Sequence, residues 1–262
     1  MYKAALLSVF LFFTTLSHAQ EPFKNRDGLV ITPEKGEMSI GFDAVPFLKF
    51  MGSLFNDDNS APLADFTARH PLTFTSVYVY KENTAIRSKV RLGLGVEKTD
   101  TLVPRIGSTN PNETVSNETK VATSNITLGA GLQKWRGKGR VRGFYGGELL
   151  IKISTEKTTY SYGNAMSSEN QATRTKSVKP GNNFGFNLRG FVGVEYFFAA
   201  KASLSAEFGW GPLLNTKSRG EVETESWNGS SAEATVTESG KSSSFQFDND
   251  NAGGSLNLNF YF

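Results

Sequence analysis

The sequence predicts an all-β fold, an eight-stranded antiparallel transmembrane β-barrel with long extracellular loops. Three observations predict it: eight segments in which apolar and polar residues alternate, connections that are tight and long by turns, and an N-terminal secretory leader. Alternation with period two is the repeat of a strand, whose successive side chains leave on opposite faces.

Residues 1–19 read as a signal peptide, with Lys3, an apolar run from Ala4 to Leu16, and then Ser17-His18-Ala19. The run covers 13 residues, short of the ~20 that a spanning helix needs. Small residues at Ser17 and Ala19 suit the peptidase, so Gln20 is the expected mature N-terminus; no Cys follows the run to accept a lipid. Residues 20–35, with Pro22, Pro33 and mixed charge, are expected to form a periplasmic tail, and residues 36–262 the barrel.

The first strand is expected within Gly36 to Phe50, with Met38, Ile40, Phe42 and Ala44 on one face and Ser39, Gly41 and Asp43 on the other. The second carries Leu72, Phe74, Tyr78 and Tyr80 and turns at Lys81-Glu82-Asn83. In the third, Ile86, Val90, Leu92, Leu94 and Val96 oppose Arg87, Lys89, Arg91 and Glu97. The fourth sets Ile126, Leu128, Ala130 and Leu132 against Asn125, Thr127 and Gln133, and turns at Arg136-Gly137-Lys138-Gly139. In the fifth, Val141, Tyr145, Leu149, Ile151 and Ile153 oppose Arg142, Gly146, Glu148 and Lys152. The sixth, from Asn183 to Phe198, alternates Phe184, Phe186, Leu188, Val192, Val194 and Tyr196 with Asn187, Arg189 and Glu195. After Ala199-Ala200-Lys201, the seventh sets Leu204, Ala206, Phe208 and Trp210 against Ser203, Ser205 and Glu207. The eighth sets Leu256, Leu258, Phe260 and Phe262 against Asn257, Asn259 and Tyr261.

Connections within residues 51–71, 98–120, 155–182 and 212–251 are long and rich in Ser, Thr, Asn and Glu, whereas the other three are tight. A barrel crossing a membrane has this asymmetry, with short turns on the side that holds both termini. Aromatic residues near the strand ends (Tyr78, Tyr80, Trp135, Phe197, Phe198 and Phe260) are expected to form an interfacial girdle. Eight strands enclose a space that side chains fill. The polar face therefore predicts a closed lumen network of Asp43, Arg87, Lys89, Arg91, Glu97, Arg142, Glu148, Lys152, Arg189, Glu195 and Glu207.

In the last long connection, Glu221 to Glu225 and Ala234 to Glu238 alternate around Trp227-Asn228-Gly229-Ser230, which predicts a raised hairpin turning at Asn-Gly. Trp227 near its tip is a candidate contact residue.

Composition excludes several classes. Zero cysteines remove disulfide frameworks and thiolate metal sites. The net charge of +3 is spread among acidic residues, with no basic face to track a nucleic acid. Mean hydropathy is −0.31 and no long apolar run follows the leader, which excludes a helical membrane protein. His70, the one histidine after the leader, stands in a loop without a Gly-x-Ser-x-Gly elbow, so neither catalysis nor a cofactor is expected. Asp57-Asp58-Asn59 lacks the spacing of a calcium loop, so no metal site is expected. Gly93, Gly95, Gly129 and Gly131 read as strand glycines that make room in a narrow lumen, with no helix following to bind phosphate.

The last strand Ser255 to Phe262 and the segment Gly190 to Phe198 resemble the OmpA/OmpX/OmpW-type family of small eight-stranded outer-membrane barrels, in its Bacteroidetes-like form. The resemblance implies location in a Gram-negative outer membrane, contact with its lipid, and delivery to the barrel-assembly machinery, with Phe260 and Phe262 carrying the assembly signal. It implies no single activity. The expected function is a non-enzymatic surface protein whose loops bind a protein or glycan ligand or stiffen the membrane. An auxiliary subunit of a larger outer-membrane complex is the alternative, and a lipid-modifying enzyme is the weakest reading. Asp100-Thr101-Leu102 resembles the three-residue O-glycosylation motif of Bacteroidetes.

Overall fold

The computed structural model describes residues 23–24, 28–44, 72–247 and 255–262. The leader and its cleavage site, His70 and Asp57-Asp58-Asn59 lie outside the described residues. Among the described residues all regular structure is β, in thirteen strands. Eight of them close an antiparallel barrel: β1 (Met38–Asp43), β2 (Leu72–Lys81), β3 (Thr84–Pro104), β4 (Thr114–Arg136), β5 (Val141–Ser161), β7 (Asn183–Ala199), β8 (Ala202–Trp210) and β13 (Ser255–Tyr261). Closure is made by β1, which pairs with β2 on one side and β13 on the other. Each of the eight expected strands is present; of the first, 45–50 lie outside the described residues.

The long loops expected within 98–120, 155–182 and 212–251 need correction, because much of their described length is strand, and the one expected within 51–71 lies outside the described residues. β3 and β4 stay in register from Thr84↔Lys134 to Pro104↔Thr114, and β5 continues to Ser161. β6 (Arg174–Lys179) pairs with the far end of β5 and with β10 (Glu221–Trp227), which forms a hairpin with β11 (Ala232–Glu238). On the other flank β9 (Pro212–Lys217) pairs with β7 and with β12 (Ser242–Phe247). Thr and Val at positions such as Thr99, Thr101, Val103, Val115 and Thr119 favour the pleated backbone. Polar residues on both faces remove the alternation by which a strand is read. The hairpin at Trp227 is as expected, but Asn228 to Ser231 form a four-residue turn, in which Asn228 Oδ1 accepts from the Ser230 and Ser231 N–H groups.

The barrel wall is polar inside and apolar outside. Leu94, Leu132 and Leu188 on the outer face are 68%, 54% and 57% exposed, whereas Arg87, Glu148 and Glu207 are 2%, 2% and 3% exposed. Tyr78, Tyr80, Phe198 and Phe260 stand outward near the turn-side end as expected. Trp135 and Phe197 do not, and the expectation that they join the girdle is overturned. Outward Leu132 and Lys134 put Trp135 on the inner parity, where it packs with Val77, Val79, Ala85, Phe144 and Phe191. Phe197 likewise alternates with outward Tyr196 and Phe198 and packs inside against Ile31 and Tyr261.

The described part of the segment expected as a tail before β1 packs against the barrel. Ile31 is buried, its N–H donates to the Phe23 carbonyl, and its own carbonyl accepts from Lys201. Lys201 Nζ bonds Thr32 O at 3.2 Å and Glu37 Oε1 at 2.5 Å. This segment closes the turn-side end of the barrel.

Candidate functional site

Charged side chains of four strands converge in the middle of the lumen. Arg87 and Lys89 come from β3, Glu148 from β5, Arg189 from β7 and Glu207 from β8. Register explains the convergence. Arg87 pairs with Gly131, Gly131 with Glu148, and Glu148 with Arg189, so one lateral row carries cation, glycine, anion and cation. The glycine supplies no side chain, and Arg87 Nε reaches Glu148 Oε2 at 3.2 Å across it. Arg189 Nη1 lies 2.7 Å from both Glu148 Oε1 and Glu207 Oε1. Lys89 Nζ is 3.1 Å from Glu148, and Arg87 Nη1 also donates to Glu207 and to Gln133. The Arg87 guanidinium lies 4.5 Å from the centroid of the Phe191 ring, which shields it on one side. A Cβ at Gly209 would collide with the Arg189 guanidinium, so that glycine too is the space through which the network closes.

A second buried group lies toward the turns. Glu195 accepts from Trp135 Nε1 at 2.7 Å, Ser203 Oγ at 2.5 Å, Tyr261 OH at 2.8 Å and Asn259 Nδ2 at 3.4 Å. Its cross-strand partner Arg142 donates to Asn83 Oδ1 and stacks 5.7 Å from the Trp135 centroid. A buried carboxylate bound by four donors is fully satisfied, which is the condition for burying it without large cost.

The structure therefore brings together Arg87, Lys89, Glu148, Arg189 and Glu207, and separately Arg142 and Glu195, from the residues expected in the lumen. Asp43, Arg91 and Lys152 are half-buried further along their strands. Glu97 is exposed, which corrects its expected place in the closed network: it lies on β3 past Leu92, the last position that pairs with a described residue of β2. Between the two groups lies a cavity of about 10 Å³, room for about one water. The middle of the lumen is packed with ion pairs beside the inward Trp135, Phe144 and Phe191.

No family model and no curated protein matches this chain.

Outside the lumen, Phe260 and Phe262 project outward, and Phe262 exchanges both backbone hydrogen bonds with Met38, which seals β13 to β1. Trp227 is half-buried at the last position of β10 before the turn. Asp100-Thr101-Leu102 is exposed, but it lies in the paired part of β3, with Thr101 opposite Asn117. The strands that sequence reading took for loops form a raised sheet. Arg174 organises one flank of it, bonding Glu225 at 2.6 Å and Asn164 O at 2.7 Å and covering the Tyr162 ring at 4.3 Å.

Sequence reasoning missed the donors around Glu195 and the inward apolar residues Phe144, Leu150 and Phe191. Parity was available for each of them, since each alternates with an outward neighbour. Their convergence depends on the register of strands distant in sequence, which no local pattern carries.

Proposed function

We propose that this chain is a non-enzymatic outer-membrane β-barrel of the OmpA/OmpX/OmpW-like kind, reached by way of a cleaved signal peptide. In this reading the lumen is a structural plug and the raised sheet is an extracellular binding surface for a protein or glycan. The observation that carries the reading is the inverted polarity of the wall. A soluble barrel buries its apolar face, because that burial drives folding; this one fills much of its lumen with Arg, Glu, Ser and Asn beside a few inward aromatics, and leaves most of its Leu, Ile and Val facing out. On β3 the outward apolar series from Ile86 to Val96 covers 11 residues, matching the ~9–11 of a tilted membrane strand. Aromatic residues flank the series at both ends, Tyr78, Tyr80 and Phe260 on the turn side and Phe184, Phe245 and Phe247 on the other.

An auxiliary subunit of a larger outer-membrane complex is the second reading. It is favoured by the edges of β11 and β12, which end the sheet order of the described strands on its two sides and would offer backbone groups to another chain.

Fractionation and proteolysis of whole cells test the first reading. The protein should sediment with the outer membrane, shift mobility on heating, and be cut at the 228–231 turn by proteinase added to intact cells. Recovery from the soluble fraction would overturn it, and cleavage only after permeabilisation would reverse the topology. Purification from mild detergent with a stoichiometric partner would select the second reading.

A further inference from the structure

On the side of the central ion pairs away from the turns, the lumen encloses an amide that bonds to nothing. Register places Lys89, Gly129, Leu150, Asn187 and Leu213 in one lateral row, next to the row that holds Arg87, Glu148 and Arg189. Asn187 is 1% exposed, and neither its Oδ1 nor its Nδ2 has a hydrogen-bond partner. Its two neighbours in the row, Leu150 and Leu213, are buried and apolar. An amide sealed in this way gives up its hydration and regains nothing. Buried polar groups of folded proteins are nearly always satisfied, by protein, by water or by an ion.

The charges around Asn187 select the partner. Arg87, Lys89 and Arg189 share only two carboxylates, Glu148 and Glu207, so the central cluster carries one cation in excess. The next row outward runs through Arg91, Thr127, Lys152 and Gly185. Of the half-buried charges at that end, Arg91 and Lys152 are cations and Asp43 is the acid, and Arg91 Nε is buried without a partner. A water would satisfy the amide and leave the surplus charge in place. A small anion does both, since it accepts from N–H donors and balances the cation, and a buried charge needs both to be tolerated. Full burial of Asn187 between two leucines suits an ion of one atom rather than an organic acid.

We propose that the lumen binds a monovalent anion of halide size beside Asn187 and Lys89, with Arg91 facing it from the next row. The site lies inside the barrel and stands whether or not the barrel spans a membrane.

The test uses the full chain folded in detergent and unfolded by urea in mixtures of sodium chloride and sodium gluconate at one ionic strength. Above the dissociation constant, each tenfold rise in chloride should lower the unfolding equilibrium constant about tenfold. The chloride-35 NMR line of the buffer should broaden with folded protein and narrow again when bromide competes. Asn187→Leu puts a side chain like its neighbours in place of the amide, and Lys89→Met leaves two arginines for two carboxylates; each should keep heat-modifiable mobility and lose both responses. Asn187→Leu suffices by itself, because the amide makes no bond whose loss could unfold the chain. Equal urea midpoints in chloride and gluconate, or undiminished line broadening by Asn187→Leu, would overturn the site and leave the barrel reading intact.

Discussion

Arg87 and Glu148 meet across Gly131, each paired with that glycine in register and neither with the other. A Cβ on Gly131 would strike the Glu148 backbone and Cβ and the Gly147 carbonyl. Gly131→Ala should therefore weaken the folded barrel by about 1–3 kcal/mol, the cost of overpacking a tight interior. Denaturant unfolding in detergent measures it, and an unchanged midpoint would show that Arg87 and Glu148 do not need the gap.

Removing one carboxylate should cost more than removing the gap. Glu207→Ala leaves Arg87 and Arg189 with Glu148 as the shared anion, and breaking a buried pair on one side costs about 3–5 kcal/mol. Glu148→Ala should behave alike. Loss of less than half that amount in either variant would mean that water enters and screens the lumen.

No stable ion conductance is expected in planar bilayers, because the buried ion pairs and Phe191 stand across the lumen and the cavity beside them is about 10 Å³. Large, steady single-channel currents from pure protein would contradict the plug.

Tyr261 and its neighbour Phe262 should separate stability from assembly. Tyr261→Phe keeps the ring against Phe197 but deletes the donor to Glu195, a loss of about 1.5–3 kcal/mol for a bond to a charged group. Its folded yield should stay high. Deleting Phe262 removes the backbone pair with Met38 and should lower the amount of folded barrel in cells; unchanged heat-modifiable yield would sink that expectation.

At the tip of the β3–β4 hairpin, the Ser108 hydroxyl and then Arg105 hold the exposed Glu113 carboxyl below its usual range. A depressed folded-state pKa gives order that is complete above the unfolded value and is lost as pH falls through the folded one. The tip should thus stay ordered while ordinary surface carboxylates protonate and loosen only below them. An NMR titration of Glu113 that follows the free-residue curve would refute this.

The barrel strands were legible because lumen and surface differ in polarity, so that Arg87, Lys89 and Arg91 alternate visibly with Ile86, Val90 and Leu92. Where both faces meet water, as from Thr99 to Val103, there is nothing to alternate, and strand was read as loop. Trp135 was misplaced by residue type, since an aromatic at a strand end suits a girdle, although counting from Leu132 would have put it inside. The Glu195 group was out of reach for another reason. Its donors come from β4, β8 and β13, and only their register brings them to one carboxylate.

The segment around Ile31 also bears on the order of events during folding. Ile31 packs on Phe197 of β7 and Tyr261 of β13, and its carbonyl is held by Lys201, just before β8. That receiving surface is complete only when the final strand has joined β8. Ile31 therefore settles after that pairing, and its burial is a time stamp. Protection of the Ile31 amide from hydrogen exchange should appear no earlier than that of Tyr261, which makes a segment that precedes the first strand a reporter on the arrival of the last.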